Sequence, residues 1–435
     1  LKKIMTIQID AGVPGIQLDE CELPITSMRH GGCFCRDCRW QFADYLKNLR
    51  KDGKLSSVYD DIDLEVFDYG EYLKSHNISF PSDAKGVPLF REYWEFQLNM
   101  VKKYFTELVD FAKNYGKEKY SREILVSGNF FNLMPVYFPI ENTVDVVITE
   151  MERTLFKQPY WYRYVAGFSG DKPVIVAENP YGGIIPELLT MLDQGRGYDL
   201  YKIFLLEAAA YGCNMSVPYG GWMGNTIKDA FYPPREITRK IQEFLADNEK
   251  LFSKKSGANT TVLYSWKSNY WREATKASTG NVEGSDESIL FFTPTDISDP
   301  KTSRLPFWES IKIMSDAQAV YDVKMLADGI LREDLFDIFD LEGTSLLVLP
   351  QCDDLTENQA KIILKYAQSG RKVIAFGSTG ANIEGFEKEL SKFTNVLFCE
   401  NPEDKTIAMS NFKHCFENEY KTLAYVKVSD STVGV

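Results

Sequence analysis

Short apolar runs, each closed by a polar, acidic or aromatic residue, recur along this 435-residue chain with helical segments between them. Residues 1–12 (LKKIMTIQIDAG) carry apolar residues at helical spacing and stop at a glycine. Residues 13–18 (VPGIQL) then form a buried strand running into Asp19-Glu20. Residues 35–50 read as helix, residues 51–88 as a polar, irregular excursion, and residues 90–115 as a long amphipathic helix. Further strands follow: 124–127 before Gly128-Asn129, 144–149 (VDVVIT) before Glu150, and 173–177 (PVIVA) before Glu178-Asn179. A helix over 198–211 precedes a strand over 213–218 that leads to Tyr219 and Trp222. The strands read as apolar throughout, as parallel strands buried on both faces are. Strand, helix, strand in this order is the grammar of an α/β protein with a parallel sheet.

The fold class expected is α/β: a (β/α)8 TIM barrel, of which five βα units are visible over residues 1–250. A closed barrel needs eight strands, so three more units are expected upstream of Leu1. The texture changes at residues 251–259 (LFSKKSGAN). Beyond it, strands at 260–264, 345–350 and 372–376 and a helix at 356–369 predict a second α/β domain over 258–400, with an open parallel sheet. Residues 401–435 are weakly patterned and are read as the start of a further β domain.

Lys and Arg number 49 against 62 Asp and Glu, a net charge of −13. That balance disfavours nucleic acid and anionic membrane as partners. No apolar run approaches the roughly 18 residues of a membrane span. With no signal segment in view, a cytoplasmic location is expected. Aromatic residues make up 14% of the chain, which serves either a large core or surfaces that stack on sugar rings.

Two carboxyl groups flanking a scissile bond carry most glycoside hydrolysis: one gives a proton to the leaving oxygen, the other attacks or activates water. Acids at or just beyond strand ends are the candidates here: Asp19, Glu20, Glu22, Glu150, Glu152 and Glu178. Each by itself is equally at home as a helix cap or a salt-bridge partner. Several at successive strand ends, where barrel active sites lie, make a stronger signal. Glu178 stands out, because a loop rich in turn residues, Asn179-Pro180-Tyr181-Gly182-Gly183, follows it. Cys33, Cys35 and Cys38 form a C-x-C-x-x-C run suited to one tetrahedral zinc ion with a fourth ligand from elsewhere, Cys21 and His30 being nearest. Such a thiolate-rich site is structural rather than catalytic. No organic cofactor motif is found. Cys352 follows a strand, yet with only three histidines in the chain no Cys–His pair suggests itself.

In the order of these motifs the chain resembles the glycoside hydrolase family 42 β-galactosidases. Ile16-Gln17-Leu18-Asp19-Glu20 stands where that family has its fourth barrel strand, and the Cys33, Cys35, Cys38 run with Phe42 and Tyr45-Leu46 follows as it does there. Val126 to Phe130 looks like the fifth strand, Val174 to Pro180 like the seventh, and Gly212 to Trp222 like the eighth. Val262 to Trp266, followed by Tyr270-Trp271, resembles the opening of the family's flavodoxin-like, glutamine-amidotransferase-like trimerisation domain. The resemblance implies a retaining hydrolase of terminal glycosidic bonds, possibly β-galactosides, working by double displacement. It implies Glu178 as nucleophile and Glu20 as acid/base, with Glu22 and Glu150 as catalytic alternatives. Asp19, Asn129, Tyr219 and Trp222 become the expected substrate contacts, Cys33, Cys35, Cys38 and Cys21 the ligands of a structural zinc, and a trimer the expected homo-oligomer. One departure stands out: the family's acid follows an Asn, whereas this chain reads Asp19-Glu20-Cys21-Glu22. That difference leaves a second reading, a non-catalytic carbohydrate-binding or scaffold protein on a decayed barrel.

Overall fold

The computed structural model describes residues 1–19, 33–78, 87–130, 133, 135–150, 158–177, 191, 194–215, 235–269, 307–400, 402 and 404–420. The described residues divide into two compact units, one holding those up to residue 150 with 269 and 330–332, the other those within 158–268, 307–329 and 333–420. The boundary expected at residues 251–259 lies inside the second unit.

The first unit opens with α1 (Lys2–Asp10) and β1 (Gly15–Leu18). Gly12, at φ +98°, makes the turn between them, a conformation in which a Cβ is strained. α2 (Arg36–Lys51) and a short α3 (Tyr69–Ser75) follow. α3 falls where the sequence reads as irregular. Its seven residues are too few to show a period, and it is held by tertiary contacts. Asp68 caps it by accepting from the Glu71 amide at 3.2 Å, and buried Tyr69 donates to the Pro88 carbonyl at 2.7 Å.

α4 (Phe90–Tyr120) buries a stripe from Phe90 through Phe105 to Gly116. It runs past the expected end at Tyr115. Gly116, instead of stopping the helix, gives Ile124 room: a Cβ there would sit 2.3 Å from Ile124 Cγ1. β2 (Leu125–Asn129), the four-residue α5 (Phe138–Glu141) and β3 (Val146–Glu150) complete the unit. β1 pairs with β2 and β2 with β3, all parallel, with Leu18 opposite Gly128 and Asn129 opposite Ile148.

The strands are not apolar on both faces, as expected from sequence. Ile16, Leu18, Val126, Gly128, Val147 and Thr149 are buried, while Gln17, Asp19, Ser127, Asn129, Ile148 and Glu150 are half-buried or exposed. Side chains alternate across a pleated strand, so these three strands present one buried, largely apolar face and one more open face, polar towards the strands' C-terminal ends.

In the second unit, α6 (Pro159–Ser169) precedes β4 (Val174–Ala177), and α7 (Tyr198–Ala210) precedes β5 (Asn214–Met215), which pairs parallel with β4. After α8 (Arg235–Asp247), β6 (Thr260–Ser265) enters a second parallel sheet. Its other members are β7 (Asp322–Leu326), β8 (Leu346–Pro350), β9 (Lys372–Phe376) and β10 (Val396–Cys399), in the order β10-β9-β8-β6-β7. α9 (Phe307–Asp316), α10 (Glu357–Gln368), α11 (Phe386–Leu390) and α12 (Lys405–Glu419) accompany it.

β6 and β8 are buried along their whole length, the pattern of central strands in a sheet covered on both sides. The core under α10 joins Leu263, Leu347, Leu349, Ile363 and Tyr366. Tyr164 of α6 packs on Trp308 and Tyr264, with ring centroids 4.5 and 5.4 Å away.

Part of the segment after residue 401 is helical, in α12. Asp404 accepts from the amides of Thr406 and Ile407 at 2.9 and 3.1 Å, capping the helix. Ala408, Phe412 and Phe416, four residues apart, form its buried stripe, and Phe412 meets Phe376 of β9 at 4.7 Å. Residues 421–435 lie outside the described residues.

Candidate active site

The polar face of β1, β2 and β3 gathers three of the residues singled out from sequence at the strands' C-terminal ends. Asp19 follows β1, Asn129 closes β2 and Glu150 closes β3. The parallel register makes this possible: Leu18 lies opposite Gly128, so the next residues along, Asp19 and Asn129, come level. The Asn129 side-chain amide donates to Asp19 Oδ1 at 3.0 Å and to Glu150 Oε1 at 2.9 Å. The two acceptor oxygens therefore lie no farther apart than the sum of those two distances. Beneath Asn129, Gly128 leaves space on the apolar face for Phe130, whose ring would come within 2.3 Å of a Cβ. That packing fixes the strand end.

Glu178 is the residue that follows β4. Glu178, Glu20, Glu22, Glu152, Tyr219, Trp222, Cys21 and His30 all lie outside the described residues.

The three clustered thiols come together as their spacing suggested. The sulfurs of Cys33, Cys35 and Cys38 lie within 4.8 Å of one another. A tetrahedral ion with metal–sulfur bonds of about 2.3 Å sets its sulfurs roughly 3.8 Å apart, so this triangle needs little closing and can hold a metal ion. The Cys38 backbone amide, followed by the Cys33 thiol, holds the Cys35 thiol below the ordinary value. Burial, reinforced by the neighbouring thiols, pushes Cys38 up to about 12. A metal ion would have to displace that proton.

Sequence reasoning did not find what anchors the thiols. Phe34, between two of the cysteines, stacks on Tyr93 with centroids 5.3 Å apart and lies 5.9 Å from Tyr69. The Tyr93 hydroxyl donates to the Cys33 carbonyl. Phe42 and Phe96 extend the same aromatic cluster, at 4.9 and 6.0 Å from Tyr93. The signal was available as Phe42, Tyr69, Tyr93 and Phe96, but nothing local links them. Just beyond β8, Cys352 is fully buried with its sulfur against backbone carbonyls of Leu263 and Pro350.

No protein-family model matches the chain, and no curated protein matches it. Solved structures do. The β-galactosidase from Bacillus circulans sp. alkalophilus aligns over 80% of this chain and 50% of its own, with TM-score 0.50 at 14% identity. The fold is GH42-like. Gan42B, a GH42 β-galactosidase from G. stearothermophilus, aligns over the same shares with TM-score 0.50 at 11% identity. The β-galactosidase from Rahnella sp. R3 gives TM-score 0.49 at 14% identity, over 80% of this chain and 49% of that one. At these identities the likeness is one of fold. The chain spans about half the length of the structures it resembles. Among the described residues, no helix is long and apolar enough to cross a membrane.

Proposed function

We propose that this GH42-like chain is a retaining glycoside hydrolase acting on terminal, β-galactoside-like bonds. The observation that carries the reading is the gathering of Asp19, Asn129 and Glu150 at the C-terminal ends of three successive parallel strands. In barrels of this kind that end is where catalytic residues are recruited. Glu178, directly after β4, attacks the anomeric carbon and forms a glycosyl-enzyme. Glu20, next to Asp19, protonates the leaving oxygen and then takes the proton from water. Glu22 and Glu150 are the substitutes for Glu20. Asp19 accepts from sugar hydroxyls, and Tyr219 and Trp222 offer faces for the ring.

Cys33, Cys35 and Cys38, with Cys21 as fourth ligand, hold a structural zinc ion. When bound, the ion ties the start of α2 to the segment after β1. The second sheet is flavodoxin-like. Numbered from β6, its order is 2-1-3-4-5, the doubly wound arrangement of that fold. By resemblance it assembles the chain into a trimer.

Turnover of a panel of aryl glycosides, with Glu178→Gln as comparison, tests the catalytic reading. The expected result is hydrolysis by the parent and a loss of about a thousandfold or more in the variant. Equal turnover in the two would overturn the assignment. Sugar binding with no hydrolysis by the parent would favour the non-catalytic reading, which the Asp19-Glu20-Cys21-Glu22 departure motivates.

A further inference from the structure

The family resemblance implies Asn129 as a substrate contact. Its geometry points elsewhere. A primary amide has two N–H hydrogens, and the bonds at 3.0 Å to Asp19 and 2.9 Å to Glu150 use both. Turning the amide over would set its oxygen against two carboxylates, so this orientation is the favourable one. The three residues come from three different strands, and the acids are 110 and 21 positions from Asn129. No local turn explains the meeting. Asn129 is also held from behind, where Phe130 packs on Phe105 with centroids 6.2 Å apart and on Tyr137 at 5.4 Å.

We infer that Asn129 is a positioning residue: its side-chain amide fixes Asp19 and Glu150 relative to one another at the strand ends. The two carboxylates then act together as acceptors for neighbouring hydroxyls of one sugar ring. This rests on the glycosidase reading of the same strand ends. One hydrogen bond to each carboxylate from the same planar amide ties the orientation of one acid to that of the other. Their acceptor oxygens are thus set before substrate arrives, which saves the ordering cost on binding. A short polar side chain with two diverging N–H bonds does this; a hydroxyl has only one, and an aspartate none.

A double-mutant cycle on the best-turned-over aryl glycoside tests the inference. Asn129→Ala and Glu150→Ala are each expected to lower kcat/KM by about tenfold or more, the scale of a lost hydrogen bond to a charged group. The double variant is expected to be no worse than the poorer single one, because an acid no longer held has little left to lose. Losses that multiply would overturn the inference, since that is the behaviour of an independent substrate contact. So would an Asn129→Ala enzyme that matches the parent.

Crystal structures of Asn129→Ala, and of Asn129→Ser should the alanine variant fold poorly, give a second readout independent of turnover. The Asp19 and Glu150 carboxylates should move apart or take several rotamers. Finding both in their parental places would overturn the inference. Glu178→Gln separates the two levels. Unchanged turnover there removes the glycosidase reading, whereas its loss together with multiplying Asn129 and Glu150 effects removes only the role given to Asn129.

Discussion

Glu141 has 2% of its side chain exposed and lies 2.8 Å from the Arg332 guanidinium. Arg332 also donates to the Phe138 carbonyl at 3.0 Å and covers the Phe138 ring at 3.9 Å. Removing one partner of such a buried pair strands the other charge away from water, at a cost of about 3–5 kcal/mol. Arg332→Ala is therefore expected to lower unfolding stability by about 3 kcal/mol or more in urea titrations. A loss below about 1 kcal/mol, the scale of exposed pairs such as Lys74–Glu71, would refute this. Cys213 makes a pH prediction. Burial lifts its thiol from the ordinary 9.0 to about 12, against a small opposing effect of Lys254. The unfolded chain then releases this proton at lower pH than the folded one. The stability it contributes is full below about pH 9 and is lost as pH rises towards 12. Cys213→Ala should show a shallower alkaline decline in denaturation midpoint than the parent, and parallel declines would count against the argument.

Among the elements, the join of α6 to β7 depends on one missing side chain. A Cβ on Gly167 would stand 2.4 Å from the Val323 carbonyl oxygen and 2.9 Å from Val323 Cβ. The nearest atom is backbone, so helix or strand must move. Alanine favours a helix over glycine by about 1 kcal/mol, but overpacking costs about 1–3 kcal/mol. Gly167→Ala is expected to destabilise on balance, seen as a lower midpoint in guanidinium, and a raised midpoint would show that the contact yields. The elements also differ in how far their sequences revealed them. α12 went unread in the sequence although its Asp404 cap and its Ala408, Phe412, Phe416 stripe are local features. α3 went unread because Tyr69 is buried against Phe34, Phe42 and Tyr93, all remote in sequence.

Across the whole molecule, burial predicts which backbone opens last. β6 and β8 sit inside their sheet and are buried at every residue, whereas β10 is an edge strand with only Cys399 buried. Hydrogen exchange should protect β6 and β8 longest and β10 much less, since exchange follows local opening free energy. Equal protection of β10 and β6 would refute this. The first unit should respond differently on its two strand faces. Val126 and Val147 belong to the packed face, while Asp19, Asn129 and Glu150 belong to the polar one. Substitutions on the polar face are therefore the ones expected to alter function more than stability.

Much of the order of strands and helices, though not elements such as α3, β7, β10 and α12, was legible in the sequence, because apolar runs and helical periods are local properties. So were the parallel sheets, which short strands joined by helices require, and the closeness of Cys33, Cys35 and Cys38, which six consecutive residue positions nearly guarantee. The acids and amides at strand ends could be named as well. What they do to one another could not. Only the register of β1, β2 and β3 brings Asp19, Asn129 and Glu150 within hydrogen-bonding distance. Likewise, only the packing of α2, α3 and α4 sets Phe34 on Tyr93 and Tyr69 beside the thiols. A sequence records what each residue prefers among its near neighbours; contacts over a hundred positions apart exist only once the chain has folded.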